Sequence, residues 1–185
     1  KNNPCSGNLY GDCLDVKVTS QCNANCGFCI EREGWNPLHI KTADEIADVI
    51  NNHPAKKVLF LGGEPLLYPY LDRIINQLDI GKSTFITTNG LLLNKAMADK
   101  FHNLTAMNIS IHHYLEREND NILQIKDQHA RSNYKMLQSA IKVLNNFNVS
   151  VRINCNLVYS GINTYDKMLR MITLAKELGA EEIKF

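Results

Sequence analysis

Three of the chain's six cysteines, Cys22, Cys26 and Cys29, stand within the eight-residue segment CNANCGFC of a sequence 185 residues long. Thiolates this close can converge on one inorganic centre, and soft sulfur donors select zinc, copper(I) or an iron–sulfur cluster. A structural zinc site recruits four protein ligands, and His39 is the nearest candidate for the fourth. Other residues with chemical potential follow in order. GGEP at Gly62, Gly63, Glu64 and Pro65, and TTNG from Thr87 through Asn89 to Gly90, each read on their own as turns. Ser110 is followed closely by His112 and His113, and Arg152, Asn154 and Asn156 alternate along one segment. Cys5 and Cys13 read as structural, and Cys155 reads as a buried thiol acting as a small apolar group.

The composition narrows the classes these residues could serve. Lys plus Arg number 20 against 19 acids, a net charge of +1, so there is no electrostatic footprint for nucleic acid. No stretch approaches the ~18 apolar residues of a membrane span, and the polar start KNNPCSGNLYGD lacks the core of a secretory signal. A cytoplasmic protein with reduced thiols is the expectation, because a chain this long and this rich in apolar core does not need disulfide staples. Lys1 stands where an initiator methionine would be expected, so the sequence reads as trimmed or as beginning inside a longer chain.

The elements that must position these residues show as a repeating pattern. LDVKV at 14–18 alternates as an edge strand does, and TADEIADVI at 42–50 carries a capping box, Thr42 with Glu45, ahead of an apolar face of Ile46, Val49 and Ile50. VLFL at 58–61 reads as a strand covered on both faces and runs straight into GGEP. Helix, strand and helix follow through Leu71, Ile74, Ile75 and Leu78, then 84–88, then Leu93, Ala96, Met97 and Phe101. A strand at 107–111 precedes a loop of roughly twenty residues, long for a compact domain. Beyond it come a helix at Tyr134, Leu137, Ile141 and Leu144, a strand at 149–158, and a helix from Tyr165 through Met168, Leu169, Ile172 and Ala175 to Leu178, capped by Gly179. EEIKF begins a sixth strand. Such alternation demands parallel pairing with right-handed crossovers, and in open sheets and barrels alike the loops at the strands' C-terminal ends carry the chemistry.

The spacing C-x3-C-x2-C after a first strand, with Phe28 before the last cysteine, resembles the signature loop of the radical S-adenosylmethionine (radical SAM) superfamily. The resemblance implies an α/β fold, a partial (β/α)6 TIM-like barrel whose sixth unit is cut short. It also implies an N-terminal extension at 1–13 and a core at 14–185 that is incomplete at its C-terminal end. By the same resemblance Cys22, Cys26 and Cys29 bind three irons of a 4Fe-4S cluster, and S-adenosyl-L-methionine (SAM) occupies the fourth. Reductive cleavage of the sulfonium would then yield a 5'-deoxyadenosyl radical that takes hydrogen from substrate. Gly62, Gly63, Glu64 and Pro65 would meet the amino group of SAM, with Phe28, Thr87 and Asn89 nearby. Ser110 would reach its ribose or carboxylate, and Asn154, Asn156 and Leu157 its adenosine. Arg152, His112 and His113 would bind substrate or the SAM carboxylate, the two histidines standing at the cavity mouth.

GGEPLL, TTNGLLL and RINCNLVYSGIN look most like the branch holding the molybdenum-cofactor GTP cyclase and the SPASM-like peptide maturases, although Tyr68 stands where the cyclase usually has arginine. An electron donor of the flavodoxin or ferredoxin type and a peptide, nucleotide or other small-molecule substrate are implied. The competing expectation is a zinc or iron–sulfur binding module without catalysis, or an electron carrier.

Overall fold

The computed structural model describes residues 13–30, 42–125 and 130–185. Six strands, β1 (Cys13–Thr19), β2 (Lys57–Gly62), β3 (Ser83–Thr88), β4 (Ala106–Ser110), β5 (Ser150–Asn154) and β6 (Glu182–Lys184), form one sheet in sequential order. All neighbours pair in parallel. Sequential parallel order with crossovers of one hand puts the helices on a single face, so the sheet curls as an open part of a barrel with β1 and β6 at its edges. The helices are α1 (Ala43–Asn52), α2 (Leu71–Asn76), α3 (Lys95–Asp99), α4 (Glu116–Leu123), α5 (Tyr134–Asn146) and α6 (Tyr165–Leu178).

Local chemistry accounts for the helix boundaries. Thr42 accepts a hydrogen bond from the Glu45 N–H while the Glu45 carboxylate takes the Thr42 N–H, the reciprocal pair anticipated for α1. Asn94, Asn133 and Thr164 cap α3, α5 and α6 in the same sense. Gly179 ends α6 at φ 86°, a left-handed conformation that glycine enters without steric penalty.

The period of two along the strands divides the molecule. Val58, Phe60, Ile86, Met107, Ile109, Val151 and Ile153 face the helices and are fully buried in the main core. Their neighbours Leu59, Leu61, Phe85, Thr87, Asn108, Ser110, Arg152 and Asn154 line a cavity on the opposite face. The strand register turns these into rows, since Thr87 pairs with Asn108 and Asn108 with Arg152, while Ser110 pairs with Asn154 and Asn154 with Lys184.

Several expectations need correction. β2 is covered on one face only, because Leu59 and Leu61 open onto the cavity. The long loop before α5 holds α4, which the sparse apolar content of ERENDNIL did not announce. β5 stops at Asn154, where pairing with β6 ends, four residues short of the expected strand. Val49 in α1, Ala96 in α3, and Tyr165, Leu169 and Ile172 in α6 lie outward. Ala43, Ala47 and Ala98 take inward places in α1 and α3, where small side chains suit the close approach of helix and sheet, and Met171 and Leu174 take those of α6. Cys13 is disulfide-bonded rather than reduced, whereas Cys22, Cys26, Cys29 and Cys155 form no disulfide. Cys5 and His39 lie outside the described residues.

Ile109 tests the division of faces. Ile109→Ala should cost about 2–5 kcal/mol of stability, as buried large-to-small changes do, and should lower the urea midpoint without altering the cavity side chains on either side of it.

Candidate functional site

The cysteine loop leaves β1 pressed against the end of β2. The Gly63 N–H donates to the Thr19 carbonyl and the Glu64 N–H to the Gln21 carbonyl, each at 2.8 Å. A Cβ on Gly62 would stand 2.3 Å from the Thr19 oxygen, at a φ of +142° that side chains rarely adopt, and one on Gly63 would stand 2.2 Å from the Gln21 oxygen. Two glycines are therefore needed because backbone meets backbone there. The N–H groups of Gly63 and Glu64 are thus engaged in seating the cysteine loop, while Gly62, Gly63 and Glu64 also border the cavity.

Glu64 is 1% exposed. Its Oε1 accepts from the Thr88 hydroxyl at 2.6 Å and the Leu66 N–H at 3.0 Å, and its Oε2 from the Asn89 N–H at 2.7 Å. Burial pushes its carboxyl above the ordinary range, and the three hydrogen bonds pull the other way. The charge thus ties the end of β2 to the end of β3. Pro65 is buried at the start of the 3-10 turn Pro65–Leu67, outside the cavity lining. From β3 the tie continues to the cysteine loop, for Asn89 Nδ2 donates to Asn23 Oδ1 at 2.7 Å.

Within the loop, the Ala24 N–H donates to Cys22 Sγ at 3.4 Å and the Cys29 N–H to the Cys26 carbonyl at 3.1 Å. The Asn25 N–H donates to the Leu123 carbonyl at 2.8 Å, anchoring the loop on α4. Cys22 and Cys26 also pack on a small apolar cluster of Ala24, Leu91, Leu123 and Ala130.

The cavity bounded by these elements has a volume of about 460 Å³. It brings together Cys22, Cys26, Cys29 and Phe28 from the loop, Gly62, Gly63 and Glu64 from the end of β2, and Thr87 and Asn89 from that of β3. Ser110 joins from β4 and His112 from just beyond it, Arg152 and Asn154 from β5 and Asn156 from just beyond that strand. Leu157 does not join them: it is 54% exposed and lies in a separate groove with Val158 and Tyr159. His113 also stays out, its ring stacked on Tyr114 and its Nδ1 accepting from the Leu115 N–H. Both histidines are buried, and of the two expected at the mouth only His112 lines the cavity.

His112 is the more telling of the pair. Its Nδ1 accepts from the Asn156 N–H at 3.1 Å, its own N–H donates to Asn119 Oδ1 at 2.7 Å, and its ring meets Phe28 edge to face at 5.0 Å. An accepting Nδ1 requires the neutral tautomer with its proton on Nε2. Burial agrees, pushing the imidazolium pKa down to about 4. Arg152, 8% exposed, donates from Nε to Asn154 Oδ1 at 3.1 Å and has no carboxylate partner among the described residues. Sequence reasoning passed over Asn23, Thr88 and Asn108. Asn108, whose Nδ2 donates to Thr87 Oγ1 at 3.2 Å, was findable from the strand period; Asn23 and Thr88 differ from ordinary turn residues only in their tertiary partners.

A cavity lined by three cysteines of one loop, none in a disulfide, at the C-terminal end of an open parallel α/β sheet defines a partial-barrel protein with a site suited to a sulfur-ligated centre. The radical SAM superfamily model matches residues 16–175, and the chain belongs to that superfamily. It is 33% identical over 176 residues to the GTP 3',8-cyclase of Clostridium perfringens (strain 13 / Type A), covering 90% of this chain and 52% of that protein. It is 28% identical over 185 residues to the GTP 3',8-cyclase of Helicobacter pylori (strain 26695), covering 92% and 54%. The chain thus spans about half the length of these relatives. Its fold is similar to Streptococcus suis SuiB bound to S-adenosylmethionine, with a TM-score of 0.69 at 20% identity over 92% of this chain and 38% of that one. It is also similar to anSMEcpe with bound AdoMet, with a TM-score of 0.65 at 17% identity over 92% and 50%.

The family's cofactors are a 4Fe-4S cluster and SAM, and the residues present fit them. Cys22, Cys26 and Cys29, none of them in a disulfide, line the cavity, with a backbone donor already directed at Cys22 Sγ. Cys155 also borders the cavity from β5's end, where it belongs to the main apolar core and burial pushes its thiol up to about 12. Among the described residues no three His, Cys, Asp or Glu side chains are grouped as a single metal ion would need.

Two measurements check this geometry. Glu64→Gln sets an amide donor against donors and should cost about 1–3 kcal/mol in denaturant unfolding. His112 binds a proton in the unfolded chain near 6.5 but in the native protein only near 4, so its contribution is complete above pH 6.5 and is lost as the pH falls toward 4. Unfolding free energy should drop by up to about 3 kcal/mol more across that window than in His112→Asn.

Proposed function

We propose that the chain carries the catalytic core of a radical SAM enzyme acting on a nucleotide. The observation that carries this reading is the three cysteines of one loop, outside any disulfide, brought to one cavity at the C-terminal end of the sheet, in a chain of a family that pairs such a triad with SAM. When bound, the cluster and SAM supply a one-electron route to an alkyl radical, and the protein supplies placement.

Cys22, Cys26 and Cys29 would hold the cluster, and the Glu64–Asn89–Asn23 tie keeps their loop at the mouth of the sheet. Arg152 and Ser110 offer donors to a carboxylate from the cavity floor, while Asn154, Asn156 and Phe28 border the space left for a nucleoside. The neutral His112 presents its Nε2–H as a hydrogen-bond donor rather than as a charge. Leu59, Leu61 and Phe85 form the apolar part of the lining, which limits water around a reactive centre.

A nucleotide substrate is supported by the cyclase relatives and by the charge balance of the cavity. Arg152 and Lys184 line it, and its carboxylate, Glu64, is consumed internally. Tyr68, in place of the arginine usual in the cyclase, stacks edge to face with Tyr70 outside the cavity, so other purine nucleotides belong beside GTP in the assay. A one-electron donor of the flavodoxin or ferredoxin type completes the requirements.

Anaerobic loading with iron and sulfide should give the ratio of a 4Fe-4S cluster, an EPR signal that changes on adding SAM, and 5'-deoxyadenosine once dithionite is supplied. Cys29→Ser should lower that yield at least a hundredfold, roughly the loss expected when an essential group of catalysis is removed. Stable zinc with no response to SAM rejects the reading. 5'-Deoxyadenosine formation stimulated by peptides but by no nucleotide rejects the substrate class alone.

A further inference from the structure

His112 is 3% exposed and borders the cavity from just beyond β4, yet its surroundings leave one of its polar atoms unused. The Asn156 N–H donates to Nδ1 at 3.1 Å, and because a backbone N–H can only donate, the ring proton resides on Nε2. The backbone N–H of His112 is held by Asn119 Oδ1 at 2.7 Å, and that amide is fixed in turn by donating to Ser132 Oγ at 2.9 Å. Phe28 meets the ring edge to face at 5.0 Å. Contacts from three sides thus fix the direction of Nε2–H, which finds no protein acceptor among the described residues. Nor is it sealed in, because Asn23 Nδ2 is the only side-chain nitrogen or oxygen among those residues that is both partnerless and wholly buried. Its open side is the cavity that His112 lines.

Resting on the radical SAM reading above, we infer that His112 Nε2–H positions a nucleoside in the cavity by donating to an uncharged acceptor on its base or ribose. The donor's chemistry selects that class of partner. Anionic groups find Arg152 and Lys184 in the same cavity, whereas a neutral donor beside an aromatic ring suits a heterocycle or a sugar oxygen. Proton transfer is excluded, since the basic lone pair is taken by the Asn156 N–H and a neutral imidazole N–H is too weak an acid. His112 is therefore a positioning residue, whose buried donor is satisfied when the ligand is in place. The adenosine of SAM and the nucleoside of the substrate carry the same kinds of acceptor, and experiment separates the two sources.

Two substitutions divide the ring between them. In His112→Asn the amide oxygen stands as many bonds from the backbone as Nδ1 does, so the Asn156 bond is kept and the cavity donor is lost. In His112→Gln the amide nitrogen stands where Nε2 does, so the donor is kept and the Asn156 bond is lost. Wild type and both variants, loaded anaerobically with the oxidised cluster, are titrated calorimetrically with SAM alone and then with GTP or ATP in the presence of SAM. In at least one arm His112→Asn should weaken binding about tenfold, which is about 1.4 kcal/mol, while His112→Gln binds close to wild type. A loss with SAM alone assigns the donor to the cofactor, and a loss confined to the nucleotide assigns it to the substrate. No loss in His112→Asn in either arm, or a larger loss in His112→Gln than in His112→Asn, overturns the inference and leaves His112 a structural residue.

Wild-type protein isotope-labelled at its histidine ring nitrogens supplies an NMR readout that needs no variant. The Nε2–H resonance of His112 should move downfield on adding SAM or the nucleotide while its Nδ1 remains an acceptor. A resonance unmoved by both additions overturns the inference however the variants fold. If the wild type binds SAM, either negative result defeats the role of His112 alone. If it binds neither SAM nor a nucleotide, the proposed function fails and the inference with it.

Discussion

A buried carboxylate with three donors is the constraint on which the site depends. Glu64 gives up its hydration to stand between the ends of β2 and β3, and only the Thr88, Leu66 and Asn89 hydrogen bonds make that tolerable. The same segment offers its N–H groups to the first turn of the cysteine loop, at a distance only glycine allows. The loop has no regular secondary structure to hold it. Its position is borrowed from strand ends that the core has already made rigid.

Polarity inside the barrel follows from register rather than from any single motif. Thr87, Asn108 and Arg152 lie side by side across three strands, and Ser110 and Asn154 form the next row. Asn108 donates to Thr87 within the first row and Arg152 donates to Asn154 across to the next, which turns the side chains into a fixed lining. Their neighbours one residue away are the apolar core, so the same strands build the hydrophobic interior and the polar cavity.

The architecture was legible in the sequence because its signals are local: apolar runs, capping residues and glycine stops, each within a few positions. The three cysteines and the alternation of Arg152, Asn154 and Asn156 were legible for the same reason. What escaped was set by partners distant in the chain. GGEP read on its own as a turn, and only Thr19 and Gln21, whose carbonyls take its N–H groups, show why two glycines are needed there. Leu157 lies beyond the end of β5, exposed and outside the cavity. His112 read as one of two histidines at the cavity mouth, and only Asn119 and Asn156, on either side of it in space, show it to be a buried fixture. α4 was invisible because most of its surface faces solvent and its few apolar residues include Ile122 and Leu123 at one end.

α4 touches both sides of the cavity. Leu123 receives the Asn25 N–H of the thiol loop, and Asn119 receives the N–H of His112 while donating to Ser132. One short helix therefore acts as a crossbar between walls that the sheet joins only at the bottom. A rigid shift of that crossbar would carry the metal-bearing wall and the imidazole wall together, so the mouth could widen or narrow as a unit while the floor stays still.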